Sequence, residues 1–153
     1  MRVLAADPVV DPEHAGLAEL VELGDLLRAA DVITLHAPLN EHTRELIGAR
    51  ELAQMRPDAY LVNCARTGLV DHLALGEALN AGRLGGCALD VLPQEPPRDD
   101  EPALQWPRTI INPHSAWYSP QSGPAPYRIA AEVVAAVLDG REPAGTLARP
   151  VRR

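Results

Sequence analysis

Three side chains that could do ionic or acid–base chemistry each follow an apolar run of the sequence. Arg66 follows residues 59–63, Glu95 follows residues 86–91, and His114 follows residues 109–112. A short apolar run indicates a strand buried on both faces, and parallel α/β sheets bind ligands just outside the carboxyl ends of their strands. We therefore expect the three side chains to meet at one cleft.

An arginine, a carboxylate and a histidine in one cleft suit hydride transfer to a 2-keto acid. The guanidinium can bind the substrate carboxylate, and a histidine, which titrates near neutrality, can give a proton to the carbonyl oxygen. A carboxylate beside the histidine would orient the ring and stabilise the imidazolium. Taken singly, each of these residue types is more often structural or solvated, so the hypothesis depends on all three occurring together.

Strand-like and helix-like segments alternate along the chain. Six segments are predicted to be strands: 2–6, 20–23, 31–36, 59–63, 86–91 and 109–112. Six more are predicted to be helices: 14–19, 24–30, 43–47, 49–55, 72–81 and 127–138. Asp71 is expected to be the N-cap of helix 72–81 and Gly82 to end that helix, while Asp25 could cap helix 24–30. This alternation predicts an α/β fold with a doubly wound, mostly parallel, Rossmann-like sheet.

Composition limits the kind of protein and its partners. The chain has 153 residues and a net charge of -7, which argues against direct nucleic-acid binding. Its two cysteines lie in apolar, strand-like contexts and lack metal or redox spacing, so we expect buried, reduced thiols in a cytoplasmic protein. The five histidines form no metal-binding pattern, and no apolar run is long enough to span a membrane.

Three segments resemble motifs of the D-isomer-specific 2-hydroxyacid dehydrogenase family. They are VNCARTGLVD at 62–71, ALDV at 88–91 followed by Glu95-Pro96, and NPH at 112–114. Their order and spacing match that family from Asp7 to about Leu138. The segment HSAWYS at 114–119 is most similar to the C-terminal binding protein branch, corepressors that keep the dehydrogenase fold and bind NAD.

The resemblance implies catalytic roles for the three side chains and NAD as the cofactor. Arg66 would hold the substrate carboxylate and carbonyl, Glu95 would tune the histidine, and His114 would be the acid/base. Trp117 would form a wall of the substrate pocket. Thr67 stands where a glycine is common in the family, which changes the turn after Arg66 without removing the arginine.

The resemblance also implies the cofactor contacts. Asp7 would bind the adenosine ribose hydroxyls, as an acidic residue at a strand end does in NAD-binding domains. Asp90 would reach the nicotinamide carboxamide. Further cofactor contacts are implied for Pro38, Cys64, Ala65, Arg66 and His114.

The Gly-rich phosphate loop of such domains does not occur in this sequence, which contains no G-x-G. That loop lies roughly 20 residues before the ribose-binding acid, and Asp7 leaves no room for it. In the strand order 3-2-1-4-5-6, the first strand lies in the middle of the sheet. Strands 2–6 and 31–36 should then flank a gap one strand wide, unless they close directly onto each other.

We therefore expect residues 1–140 to form a partial dinucleotide-binding domain and residues 141–153 to form a disordered tail. The chain would be a truncated or remnant dehydrogenase, one part of a split gene, or a protein whose start lies upstream. A partner could supply the missing segment, and a homodimer is possible by resemblance.

Three functions remain open. The chain could be an NAD-dependent 2-hydroxyacid dehydrogenase, impaired as an isolated fragment and acting on a small 2-hydroxy or 2-keto acid. It could instead be a non-enzymatic NAD-binding interaction protein of corepressor type, or an inactive remnant. Arg66, Glu95 and His114 do not discriminate between these, because the corepressor branch keeps the same residues.

Overall fold

The fold alternates short strands with helices, as the sequence predicts. A computed structural model describes residues 1–11, 13 and 16–145. The strands are β1 (Leu4–Ala5), β2 (Glu19–Leu20), β3 (Val32–Leu35), β4 (Tyr60–Asn63), β5 (Gly86–Leu89) and β6 (Thr109–Ile111). The α-helices are α1 (Leu23–Ala29), α2 (Ala49–Leu52), α3 (His72–Asn80) and α4 (Ala125–Leu138). Short 3₁₀ turns span Thr67–Leu69 and Pro102–Gln105.

The chain divides into two compact units. One unit, Met1–Ala116, holds all six strands and the first three helices. The other begins at Trp117 and contains α4, which is almost wholly apolar in sequence and carries an ion pair between Arg128 and Glu132. The predicted tail 141–153 lies partly outside the described residues, which end at 145.

Every strand pair observed in the first unit is parallel, which confirms the predicted α/β class. β3, β4, β5 and β6 form one sheet in that order, and β1 pairs with β2 in a separate two-stranded sheet. Within the described residues β1 makes no pairing with β3, so direct closure of the first two strands onto the third is not observed. The described residues therefore form two separate sheets where a complete Rossmann domain has one.

The four-stranded sheet buries one face and leaves much of the other exposed. Ile33, Leu61 and Leu89 belong to the core, together with leucines of α1, α2 and α3. On the alternate face Val32 and Tyr60 are largely exposed, so the prediction that 59–63 is buried on both faces was wrong for β4. Right-handed crossovers that step one way across a sheet place their helices on the same side, which explains the one-sided core.

Helix α3 begins at His72 as predicted and ends at Asn80, one residue before its predicted end. The Asp71 side chain accepts a hydrogen bond from Ala74 N–H at 3.1 Å, which confirms the N-cap. Gly82 lies in the left-handed region with φ of 68°, and Arg83 N–H donates back to the Ala78 carbonyl. A glycine adopts this conformation without strain and so ends the helix.

The predicted helix 43–47 was wrong, because a side chain folds this segment into turns. Asn40 Oδ1 accepts hydrogen bonds from the His42 and Thr43 amides, and Ile47 forms an isolated parallel bridge with Val70. Side-chain acceptors of this kind compete with helical hydrogen bonds. The helix predicted over 49–55 is also shorter than expected, since α2 ends at Leu52.

Two predictions near the N-terminus were also wrong. Glu19 N–H donates to the Val3 carbonyl and Val21 N–H donates to the Ala5 carbonyl, so residues 19–20 are extended along β1. Leu23 already begins α1. The strand predicted at 20–23 therefore lies earlier. Residues 14 and 15 of the predicted helix 14–19 lie outside the described residues. Asp25 pairs with Arg28 at 2.6 Å and does not cap α1.

The one-sided core predicts opposite responses from two leucines of α3. Leu75 is fully buried, whereas Leu73 is 75% exposed on the same helix. Leu75→Ala should lower the free energy of unfolding by about 2–5 kcal/mol, since it opens a cavity in the core. Leu73→Ala should change it by less than about 0.5 kcal/mol. Urea denaturation followed by circular dichroism measures both, and equal losses would contradict the assigned core.

Candidate active site

Glu95 and His114 form a hydrogen-bonded pair. His114 Nδ1 lies 2.6 Å from Glu95 Oε2, and Leu92 N–H donates to Glu95 Oε1 at 3.0 Å. The hydrogen bond with His114, supported by that from Leu92, holds the pKa of the Glu95 carboxyl below its ordinary value. Glu95 is therefore ionised at neutral pH and fixes which edge of the imidazole faces it. The peptide bond between Glu95 and Pro96 is cis.

The backbone of His114 lies in the left-handed region, with φ of 50°. Such a conformation is uncommon outside glycine and needs support from the surrounding structure. Asp90 gives that support from beneath the loop, where it is only 4% exposed. Its Oδ1 accepts hydrogen bonds from Ser115 N–H, Ala116 N–H and Asn112 Nδ2 at 2.9–3.0 Å. Asp90 therefore holds the loop that carries His114.

Arg66 projects from a turn that a buried asparagine shapes. Asn63, fully buried at the end of β4, accepts from Ala65 N–H at 3.1 Å and donates from Nδ2 to the Arg66 carbonyl at 3.0 Å. The Arg66 side chain is exposed, and its Nη1 donates to the Ala65 carbonyl at 2.7 Å. The buried amide thus sets the backbone from which the guanidinium extends.

The structure brings Arg66, Glu95 and His114 to one cavity. These side chains line a space of about 240 Å³, together with Thr67 and the start of the loop after β5. Glu95 and His114 also border a second cavity, of about 360 Å³, whose walls include three prolines and Ile111. The arrangement can bind an anion at Arg66 and transfer a proton at His114 beside it.

Most of the residues implied for the cofactor follow carboxyl ends of strands. Asp7 follows β1, and its Oδ1 accepts from the amides of Val9 and Val10 at 2.9 and 3.2 Å. Pro38 follows β3 and is exposed, while Cys64 and Ala65 follow β4. An exposed carboxylate at the end of β1 fits a ribose diol. The residues present therefore suit the sugar and the nicotinamide side of NAD, but they include no glycine-rich cradle for its pyrophosphate.

Asn63 and Asp90 show what sequence reasoning missed. Asp90 was assigned to the cofactor, and its support of the His114 loop was not predicted; Asn63 was noted only as part of a motif. Both are polar residues at the ends of apolar strands, and buried polar groups almost always have hydrogen-bond partners. That pattern was the available signal. The role of Trp117 in a substrate pocket stays a prediction; its ring packs edge-on against Tyr118 in the second unit.

Other kinds of site find no support within the described part of the chain. No group of three or more His, Cys, Asp and Glu side chains there could hold a metal ion. Cys64 and Cys87 are both free thiols; Cys87 is buried, but Cys64 is exposed, so the prediction of two buried thiols was wrong for Cys64. Of the helices in residues 1–11, 13 and 16–145, none has the length and apolar character needed to cross a membrane.

Comparison with known proteins identifies the family. A profile of the D-isomer specific 2-hydroxyacid dehydrogenase NAD binding domain matches residues 1–116. Glycerate dehydrogenase of Methylorubrum extorquens is 44% identical over 124 residues, which cover 80% of this chain and 38% of that protein. D-3-phosphoglycerate dehydrogenase of Methanocaldococcus jannaschii is 39% identical over 143 residues, which cover 92% of this chain and 27% of that protein.

The solved structures agree with the sequence relatives. D-lactate dehydrogenase from Lactobacillus jensenii, crystallised with NAD+, superposes with a TM-score of 0.87 at 31% identity, over 97% of this chain and 48% of that one. The chain belongs to the D-isomer specific 2-hydroxyacid dehydrogenase family and corresponds to its NAD-binding domain. It spans less than half the length of each of these relatives.

Removal of the Asp90 carboxylate should release the His114 loop. Asp90→Ala leaves three donors without their acceptor, so the free energy of unfolding should fall by at least about 3 kcal/mol. Amide hydrogen exchange at Ser115 and Ala116 should accelerate in step. Asp100→Ala removes an exposed carboxylate and is the matched control. Equal stability of the two variants would contradict the role given to Asp90.

Proposed function

We propose that this chain carries the cofactor-side half of an NAD-dependent 2-hydroxyacid dehydrogenase site. The reaction is hydride transfer between NAD(H) and a small 2-hydroxy or 2-keto acid. The observation that supports it best is the 2.6 Å contact between His114 Nδ1 and Glu95 Oε2, beside a cavity that Arg66 also lines. A cation for a carboxylate and an oriented acid/base are the two groups that this reaction needs from the protein.

Each side chain has one role in the proposed reaction. NADH, when bound, supplies the hydride. Arg66 binds the substrate carboxylate, and His114 gives a proton to the carbonyl oxygen during reduction or takes it back during oxidation. Glu95 holds the ring through Nδ1 and stabilises the imidazolium. The backbone of the acid/base loop is held by Asp90, so that the proton donor is already in place when the substrate arrives.

The cofactor would be held along the strand ends. Asp7 would accept hydrogen bonds from the ribose hydroxyls, and Pro38, Cys64 and Ala65 would line the dinucleotide. Asp90 Oδ1 is already engaged with the loop, so a contact with the carboxamide would fall to Oδ2.

The names of the relatives suggest which substrates to try. Those relatives are called glycerate, phosphoglycerate and lactate dehydrogenases. The corresponding keto acids are hydroxypyruvate, its 3-phosphate and pyruvate, each a carboxylate next to a carbonyl that Arg66 could hold. We also propose a cytoplasmic location, since both cysteines are free thiols, and a homodimer or a partner chain that supplies a Gly-rich phosphate loop.

A corepressor-type, NAD-responsive interaction protein is the second candidate. It rests on the likeness of residues 114–119 to the C-terminal binding protein branch. The relatives reported above carry dehydrogenase names, which favours the enzyme. Measurement of turnover distinguishes the enzyme from the interaction protein. An interaction protein would bind NADH but would not oxidise it in the presence of pyruvate, hydroxypyruvate or 3-phosphohydroxypyruvate.

The isolated chain should bind NADH weakly, with a dissociation constant above the low-micromolar range. The amides of a Gly-rich loop and the helix N-terminus behind it normally neutralise the pyrophosphate, and this sequence contains no such loop. Isothermal titration calorimetry with NADH measures the dissociation constant. A low-micromolar value would show that the chain binds the pyrophosphate by other groups and would contradict the proposed impairment.

The two central roles are separable by kinetics. Once a segment that carries a Gly-rich phosphate loop is supplied to this chain, NADH oxidation is followed by absorbance with pyruvate, hydroxypyruvate and 3-phosphohydroxypyruvate. His114→Ala should lower kcat by about 10²-fold or more, since general acid–base catalysis contributes that much. Arg66→Ala should mainly raise KM. Arg83→Ala, at an exposed arginine after α3, is the control. An unchanged kcat in His114→Ala would refute the acid/base role, and an unchanged KM in Arg66→Ala would refute the carboxylate-binding role.

A further inference from the structure

His72 lies behind the loop that carries Arg66 and has no part in the proposed reaction. It is the first residue of α3, and its Nε2 lies 2.8 Å from Thr67 Oγ1. Its Nδ1 is shielded from solvent and has no hydrogen-bond partner within the described residues. A buried ring nitrogen without a hydrogen-bond partner lowers the stability of the fold. We therefore ask what the hydrogen bond at the other ring nitrogen contributes.

The position of the His72 ring is set by its packing against an aromatic residue. The His72 ring packs against Trp106, with centroids 5.7 Å apart and planes tilted by 46°. Trp106 reaches that position because α3 has a glycine there: a Cβ on Gly76 would lie 2.7 Å from the indole. The packing fixes the imidazole against the helix and directs Nε2 toward Thr67.

Thr67 belongs to the turn that presents Arg66. It follows Arg66 directly and begins the 3₁₀ turn, in which Leu69 N–H donates to the Arg66 carbonyl and Val70 N–H donates to the Thr67 carbonyl. Asn63 holds the same turn from the strand side. The backbone around Arg66 is therefore held from two directions, by an amide on β4 and by an imidazole on α3.

We propose that His72 is a positioning residue for Arg66, acting through the Thr67 hydroxyl to hold the guanidinium at the carboxylate-binding cavity. This inference rests on the proposed function of Arg66. The tautomer follows from the burial: a proton on Nδ1 would be a buried donor without an acceptor, so the neutral ring carries its proton on Nε2 and donates to Thr67 Oγ1. A glycine at position 67, the common residue in the family, would remove that acceptor.

The same geometry makes the arrangement sensitive to acid. Protonation adds an N–H at the shielded Nδ1, so burial lowers the pKa of His72 below its ordinary 6.5. Two carboxylates oppose this shift, Glu101 at the start of the 3₁₀ turn Pro102–Gln105 and Asp71 at the N-cap of α3. The ring is therefore neutral at neutral pH. Protonation places a second N–H, which has no acceptor among the described residues, at the shielded Nδ1, and so weakens the packing that holds Nε2 against Thr67.

Two substitutions at Thr67 isolate the hydroxyl. Thr67→Val is isosteric and removes it, whereas Thr67→Ser keeps it, and His42→Gln alters an exposed imidazole as a control. The whole 153-residue chain is studied by NMR at about pH 7.5, with oxalate as the probe for a 2-keto acid. Thr67→Val should speed amide exchange at Leu69 and Val70 about fivefold and weaken oxalate binding about fivefold, as the loss of one hydrogen bond predicts. Thr67→Ser and His42→Gln should stay within about twofold of the unaltered chain.

The pH dependence of oxalate affinity is a further test, because it would not change if His72 only stabilised the fold. Below about pH 6.5, oxalate affinity of the unaltered chain should fall in step with protonation of His72, which is followed by its ring ¹⁵N signals. In Thr67→Val this component should be missing. The ring signals should also show the Nε2–H tautomer in the neutral state; an Nδ1–H tautomer would overturn the proposed donation to Thr67.

The outcomes separate this inference from the proposed function. Equal exchange rates in Thr67→Val and Thr67→Ser would overturn the positioning role. So would oxalate binding that is lost in Arg66→Gln but unchanged in Thr67→Val. If exchange accelerates in Thr67→Val while Arg66→Gln still binds oxalate normally, His72 holds the turn, and the carboxylate-binding role of Arg66 falls instead.

Discussion

The carboxylate of Asp90 is the interaction on which the geometry of the site depends. One buried oxygen gathers two backbone amides and one side-chain amide from the loop after β6. A hydrogen bond to a charged acceptor is stronger than one between neutral groups, and it is stronger still away from water. The loop can therefore keep His114 in a left-handed conformation while its ring remains paired with Glu95.

The parallel sheet determines which residues can meet. β4, β5 and β6 lie side by side and end at the same edge, so the residues that follow them converge even though 48 positions separate Arg66 from His114 in the sequence. Neighbouring strands bring their carboxyl ends together without any contribution from the side chains of the site. The sheet supplies proximity, and buried polar groups such as Asn63 then set the orientation of each side chain.

Sequence reasoning succeeded where one local pattern determined the structure. Alternating apolar runs gave the strands, and Asp71 and Gly82 gave the ends of α3. It failed at residues 43–47, where helical spacing competed with the side chain of Asn40, because the strength of such competition depends on the final backbone position. The arrival of Arg66, Glu95 and His114 at one cavity was predicted from their strand ends. The bond between His72 and Thr67 was not predicted, since two residues five apart gave no sign that one would be buried against Trp106.

The separation into two sheets was only half predictable. Sequence order indicated a gap between the first two strands and the third, but closure of that gap was an equally open alternative. Within the described residues β1 pairs only with β2, and β3 pairs only with β4, so the gap between β1 and β3 stays open. The decision rests on backbone registers that depend on the whole unit, which short apolar runs of two to four residues do not specify.

The left-handed backbone conformation at position 114 also limits which amino acids can occupy that position. Asparagine, aspartate and histidine enter that region several times more readily than other side chains, and glycine enters it freely. Of these four, histidine is the one that both gives and takes a proton near neutral pH. The loop therefore selects its residue twice, once by the shape of the chain and once by its chemistry, and a different acid/base group would require a different loop.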